Sequence, residues 1–120
     1  MQNEGVVRNG SSLQAESLAV EAAVAVVATT RGVSPQLRCV AEQAVRAVAS
    51  APLNLAEGAG RAGRDRVQHY RIAYGSCREA SAAMRLLVAT GAVPKARGDE
   101  ALALLDRVQA MTWRLMHPQR

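Results

Sequence analysis

Between Arg64 and Thr90, apolar or small side chains recur alternately three and four positions apart, at Val67, Tyr70, Tyr74, Cys77, Ser81, Met84 and Val88. That spacing puts them on one stripe of an α-helix about 40 Å long at about 1.5 Å per residue. A rod with a single apolar stripe has no interior of its own, so it must lie against other helices. Gly91 and Pro94 supply its stop.

Three further segments can serve as those partners. Ser12 is placed to cap a helix reaching about Thr30, with Arg31 near its negative end and Gly32 beyond it. Leu13, Val20, Val24 and Val27 mark one face, while Leu18, Ala19, Ala22, Ala23, Ala25 and Val26 make the rest apolar as well. A helix apolar on most sides needs cover on two of them, and the second cover is expected from another subunit. Ser34 and Pro35 open a second helix with Leu37, Val40, Ala41, Ala44, Val45 and Val48 inward. Pro52 removes the amide that would bond the carbonyl of Val48 and predicts a kink. Helical spacing resumes through Leu53, Leu55 and Ala56, and Gly58, Gly60 and Gly63 are expected to make the next connection. A last helix starts at Lys95 or Asp99 and runs to Met116, with Leu102, Leu105, Val108, Thr112 and Leu115 inward. Asp99 and Glu100 lie toward its positive end, and Pro118 stops it.

Four amphipathic segments with short connections predict an all-α, antiparallel up-down-up-down four-helix bundle over residues 12–117. Residues 1–11 are expected to form a flexible N-terminal tail and 118–120 a C-terminal one. Composition agrees with helix on helix: Ala fills 24 of 120 positions, Phe is absent, and Tyr70, Tyr74 and Trp113 are the aromatic residues. Small side chains let backbones approach closely, whereas a strand sandwich draws on aromatic and β-branched residues. A chain of 120 residues makes one domain. The most apolar run, 18–28, is interrupted by Glu21 and falls short of the ~20 residues that cross a bilayer. No basic segment of a secretory signal precedes it, so a cytoplasmic protein with no membrane contact is expected.

The residues that carry chemistry are few. Cys39 and Cys77 have no metal or redox spacing and read as buried thiols. His69 and His117 lack a partner at the spacing of a helical metal site, so neither metal nor cofactor is expected. Ser76, beside Cys77, has no His at helical spacing to act as its base. The glycine-rich stretch 56–64 lacks the Lys-Ser/Thr ending of a phosphate loop and follows a helix instead of a strand. No enzymatic activity is expected. Tyr70 and Tyr74 could stack on bases only if the seam were open, and core packing is the simpler reading.

The cations are more informative. The formal charge is +5, and fourteen of the fifteen basic residues are Arg. Arg64, Arg71, Arg78 and Arg85 recur every seven residues, which confines them to a sector of about 60°. None of the four has Asp or Glu three or four positions away, so the helix cannot neutralise its own stripe. From Arg61 to Arg85 there are six Arg against Asp65 and Glu79. Their anions must be carboxylates of a neighbour, solvent ions or nucleic-acid phosphates. Arg61, Arg64, Arg66, Arg71, Arg78 and Arg85 are accordingly the candidate contacts to RNA or DNA backbone. The competing reading is a protein-docking scaffold with no nucleic-acid contact, in which these arginines meet Glu42, Glu57 or Asp106 across subunits.

Leu53-Asn54-Leu55-Ala56-Glu57-Gly58, then Gly60-Arg61, and Ile72-Ala73-Tyr74-Gly75-Ser76 with Glu79 form a pattern of their own. With Gln43 and Arg46 upstream, this pattern resembles the four-helix-bundle family of 23S rRNA intervening-sequence proteins over residues 36–116. Accessory variability determinants of diversity-generating retroelements belong to the same group. Val67 and Tyr70 stand where that family tends to place Phe, and Ala51 where Ile is common. The resemblance implies an antiparallel bundle assembled into a homopentamer, without enzymatic activity. For the retroelement members it further implies a basic surface toward nucleic acid and a reverse transcriptase partner. Asn54, Glu57, Gly58, Arg61, Gly75, Ser76 and Glu79 are then the family's structural motif. Asn54 is expected to bond backbone near Pro52, and Glu57 to pair with Arg61.

Overall fold

The computed structural model describes residues 3–118, with side chains from Ser11 onward, and contains four α-helices and no strand among them. In chain order they are α1 (Asn3–Thr30), α2 (Arg38–Ala59), α3 (Gly63–Ala89) and α4 (Lys95–Met116), with a 3-10 turn at Pro35–Leu37 before α2. α1 packs on α2 and α4, and α3 packs on the same two. The four rods thus close around one apolar core in a body of 53 × 22 × 19 Å.

The helix stops follow from local chemistry. Gly32 and Gly91 take φ of +76° and +75°, the left-handed conformation in which a side chain would be strained. At the end of α3 the amide of Ala92 bonds the carbonyl of Leu87 at 2.9 Å, and that of Gly91 bonds Val88 at 3.0 Å. These paired bonds satisfy carbonyls that the helix itself leaves open. Ser34 stands at the N-cap position of the 3-10 turn with Pro35 in its first position, but its side chain makes no capping bond, and the expected α-helix begins only at Arg38.

Other boundaries differ from expectation. The helical backbone of α1 begins at Asn3, so Ser12 lies inside it and the tail expected over 1–11 is helical from residue 3. No proline interrupts that stretch, and Gly5 and Gly10 each weaken a helix by only about 1 kcal/mol relative to Ala. α2 continues through Pro52 and Gly58 to Ala59, so Gly58 belongs to the helix and not to the connection. α4 starts at Lys95, the earlier of its two expected starts, which leaves Asp99 and Glu100 beyond its first turn; Asp99 pairs with Lys95 at 2.6 Å.

The core is built largely from alanine. α1 turns Ala15, Leu18, Ala19, Ala22 and Val26 inward, and leaves Leu13, Val20 and Val24 48–63% exposed on the opposite side. With apolar residues all round, the smaller side chains win the inward position because they let α1 approach its neighbours. α2 contributes Ala41, Ala44, Ala47, Val48, Ala51 and Leu55, while Leu53 is 69% exposed. In α3 the buried row is Tyr70, Ala73, Cys77, Ala80, Ser81, Met84 and Leu87. Val67, Tyr74 and Val88 sit half-buried at its border. Gly98, Ala101, Leu105, Val108 and Thr112 complete the interior from α4, with Leu102 and Leu115 partly covered. By length and composition alone Ser11–Thr30 is apolar enough to cross a bilayer, which the shorter run 18–28 did not suggest. In the fold, one face of that stretch lines the core.

Candidate nucleic-acid interface

The heptad places Arg71, Arg78 and Arg85 one position after the residues that bury at 70, 77 and 84, and Arg64 one heptad before Arg71. All four side chains are exposed, and no carboxylate among the described residues lies within ion-pair distance of them. Ser76 and His69 face α2, and Val88 faces Gly98 of α4, so helical spacing sets the arginines on the outer edge of α3 nearest α4.

The other two candidates are already engaged. Arg61 lies between Glu57 and Asp65, with a guanidinium nitrogen 2.8 Å from a carboxylate oxygen on each side. Its hydrogen bond holds the Glu57 carboxyl below the usual range, and the paired carboxylates raise Arg61 in turn. The Glu57 pair was legible from its i, i+4 spacing. Arg66 reaches back across the turn, where its Nε donates to the carbonyl of Gly58 at 3.1 Å and an outer nitrogen to Ala59 at 3.5 Å. It thereby adds a side-chain donor to carbonyls at the end of α2, where the Arg61 amide also bonds Gly58. No sequence spacing marks that contact, because it crosses a connection.

The motif residues gather along the α2–α3 contact. The Asn54 amide nitrogen donates to the Ser50 carbonyl and the Ser50 hydroxyl, both at 3.0 Å. Ser76 donates to the same hydroxyl at 2.9 Å. With that nitrogen committed, the Asn54 carbonyl faces Nδ1 of His69 at 3.0 Å, so the imidazole donates there. Asn54 bonding backbone next to Pro52 was expected, whereas the cross-helix partners Ser50, Ser76 and His69 were not. This partly buried chain of polar groups ties α2 to α3 in a fixed register.

Gly58 and Gly75 do different work. A Cβ on Gly58 would stand 2.7 Å from Cε1 of Tyr70, so the buried ring fits only because that position carries no side chain. A Cβ on Gly75 would meet nothing within 4 Å. Glu79 is exposed on the outer side of α3. Tyr70 is buried and Tyr74 half-buried, which leaves neither as an open platform on which bases could stack.

Among the described residues no group of three His, Cys, Asp or Glu is placed to hold a metal ion. Cys77 is buried, and burial pushes its thiol up to about 12; Cys39, expected buried, is exposed on α2. A groove of about 570 Å³ lies where α1 meets α2, with Arg38, Glu42 and Arg46 as its charged lining. At the end of α4 the exposed Trp113 indole stacks with the His117 imidazole, ring centres 4.0 Å apart and planes 26° from parallel. His117 Nδ1 donates to the Trp113 carbonyl at 2.9 Å, which holds that ring in place. The i, i+4 spacing of Trp113 and His117 could have revealed this pair in the sequence.

Among known families, the one described as 23S rRNA-intervening sequence protein matches residues 11–114. No curated protein matches the chain.

Proposed function

The chain belongs to the 23S rRNA-intervening sequence protein family, and from that premise we propose that it is a non-catalytic, oligomeric bundle that binds nucleic-acid backbone through its arginine stripes. The observation that carries this reading is the exposed row Arg64, Arg71, Arg78 and Arg85, which has no carboxylate of its own. Guanidinium groups spaced one heptad apart neutralise successive phosphates without reading bases, so sequence preference is weak.

The arrangement proposed is antiparallel, up-down-up-down. Support comes from the connections over 60–62 and 90–94, which are too short to return a chain to the starting end of a long helix packed alongside. Assembly follows from α1, whose Leu13, Val20 and Val24 form an apolar row on the side away from the core. A homopentamer in the cytoplasm is the form proposed, and each copy would repeat the stripe around the assembly. Of the carboxylates that the scaffold reading would use, Glu57 is already held by Arg61 of the same chain, while Glu42 and Asp106 are exposed.

Binding of an RNA and a DNA oligonucleotide measured against salt tests the proposal. Four phosphate contacts give a log–log slope of about −3 to −4, so affinity falls roughly a hundredfold from 50 to 200 mM salt. Absence of binding to either polymer at low salt would remove the reading.

A further inference from the structure

Helical spacing and the α3–α4 register set the Trp113–His117 stack on the same face as the arginine stripe, and we infer that it is a stacking platform for an unpaired base, making single-stranded nucleic acid the preferred ligand. The inference rests on the backbone-binding reading above and deepens it. Arg107 and Met111 of α4 line a groove together with Leu13 and Leu18 of α1, which fixes the side of α4 that faces α1. Helical spacing then puts Asp99, Asp106 and Trp113 on its other edge, toward α3. In the antiparallel register in which Val88 meets Gly98, Trp113 comes level with Ala73 and Tyr74, within a turn of Arg71.

The α4 edge of this face therefore differs along its length. Beside Arg78 and Arg85 the α4 edge carries Asp106 and Asp99, the latter paired with Lys95, and no aromatic side chain. Beside Arg71 it carries Trp113, half exposed and backed by an imidazole, and Arg64 continues the row past the end of α4. A single strand whose phosphates lie on Arg64 and Arg71 can turn a base onto that aromatic surface, whereas a duplex keeps its bases stacked on one another.

Trp113 is the chain's one tryptophan, so its fluorescence reports on this surface alone when excited where tyrosine does not absorb. The experiment titrates the protein with oligouridylate, with oligothymidylate and with a duplex of equal length, reading both Trp113 quenching and anisotropy of labelled strands. The inference predicts quenching by the single strands and not by the duplex. Trp113→Leu should weaken single-strand binding about tenfold and leave duplex binding unchanged, while Trp113→Tyr restores most of the affinity. Quenching by one single strand alone supports the inference and identifies RNA or DNA as its source. Single-strand binding without quenching, with the Leu variant as tight as the parent, overturns the platform and leaves the arginine reading standing. Failure of all three polymers to bind overturns both.

Discussion

At the scale of single residues, Gly58 and Gly75 sit in neighbouring helices under opposite constraints. Replacing either with Ala adds helix propensity worth about 1 kcal/mol. At Gly58 the added methyl would press on the Tyr70 ring at 2.7 Å, and crowding a packed site costs about 1–3 kcal/mol. Gly58→Ala should therefore lower urea stability by about 1 kcal/mol, whereas Gly75→Ala, facing open space, should raise it by up to about 1 kcal/mol. Equal shifts in the two variants would contradict this contrast. The cysteines give a second test. The Cys77 thiol is raised by burial from 9.0 to about 12, so the folded state favours its protonated form. Its contribution is complete below pH 9 and is lost as pH rises toward 12. A thiol reagent at pH 8 should modify Cys39 at once and Cys77 only as the chain unfolds, and immediate reaction of both would count against the packing described. The sequence showed Gly58 and Cys77 as residue types without showing what they touch. Gly58 reads as a turn glycine because its reason, a ring from the next helix, is a tertiary contact, and Arg66 was hidden in the same way.

At the scale of the element, α1 separates what is legible in a sequence from what is not. Helical period, the Gly32 stop and the need for two covers can all be read from 12–32. Which face turns inward cannot, because both are apolar and the choice depends on how close the neighbouring backbones come. Ala15, Ala19 and Ala22 win over Val20 and Val24 by being small. In α3 the period was clear and the centre of the seam moved only slightly, from Tyr74 and Val88 toward Ala73, Ala80 and Leu87. Two substitutions separate the faces of α1. Leu18→Ala opens a cavity in the core and should cost about 2–5 kcal/mol. Val24→Asp, on a side chain 63% exposed, should leave the subunit folded, with its helical circular dichroism intact, and lower the mass found by light scattering toward 12.7 kDa. An unchanged mass would contradict assembly through this face.

At the scale of the whole molecule, the excess charge is concentrated where the chain cannot cancel it. Most of the formal +5 falls between Arg61 and Arg85, and once Arg61 and Arg66 are engaged, four exposed arginines remain along one edge of a body 53 Å long. Screening reaches only about 8 Å at physiological salt, so a ligand must lie along that edge to feel the row. The decisive measurement compares two triple variants of equal charge for binding to one RNA oligonucleotide at low salt. One carries Arg71→Glu, Arg78→Glu and Arg85→Glu; the other carries Arg31→Glu, Arg97→Glu and Arg107→Glu, at exposed positions outside the stripe. With both variants folded, the first should lose binding more than tenfold with a flatter salt dependence, and the second should keep most of it. Parental affinity in the first variant, or equal losses in both, would contradict a role for the stripe.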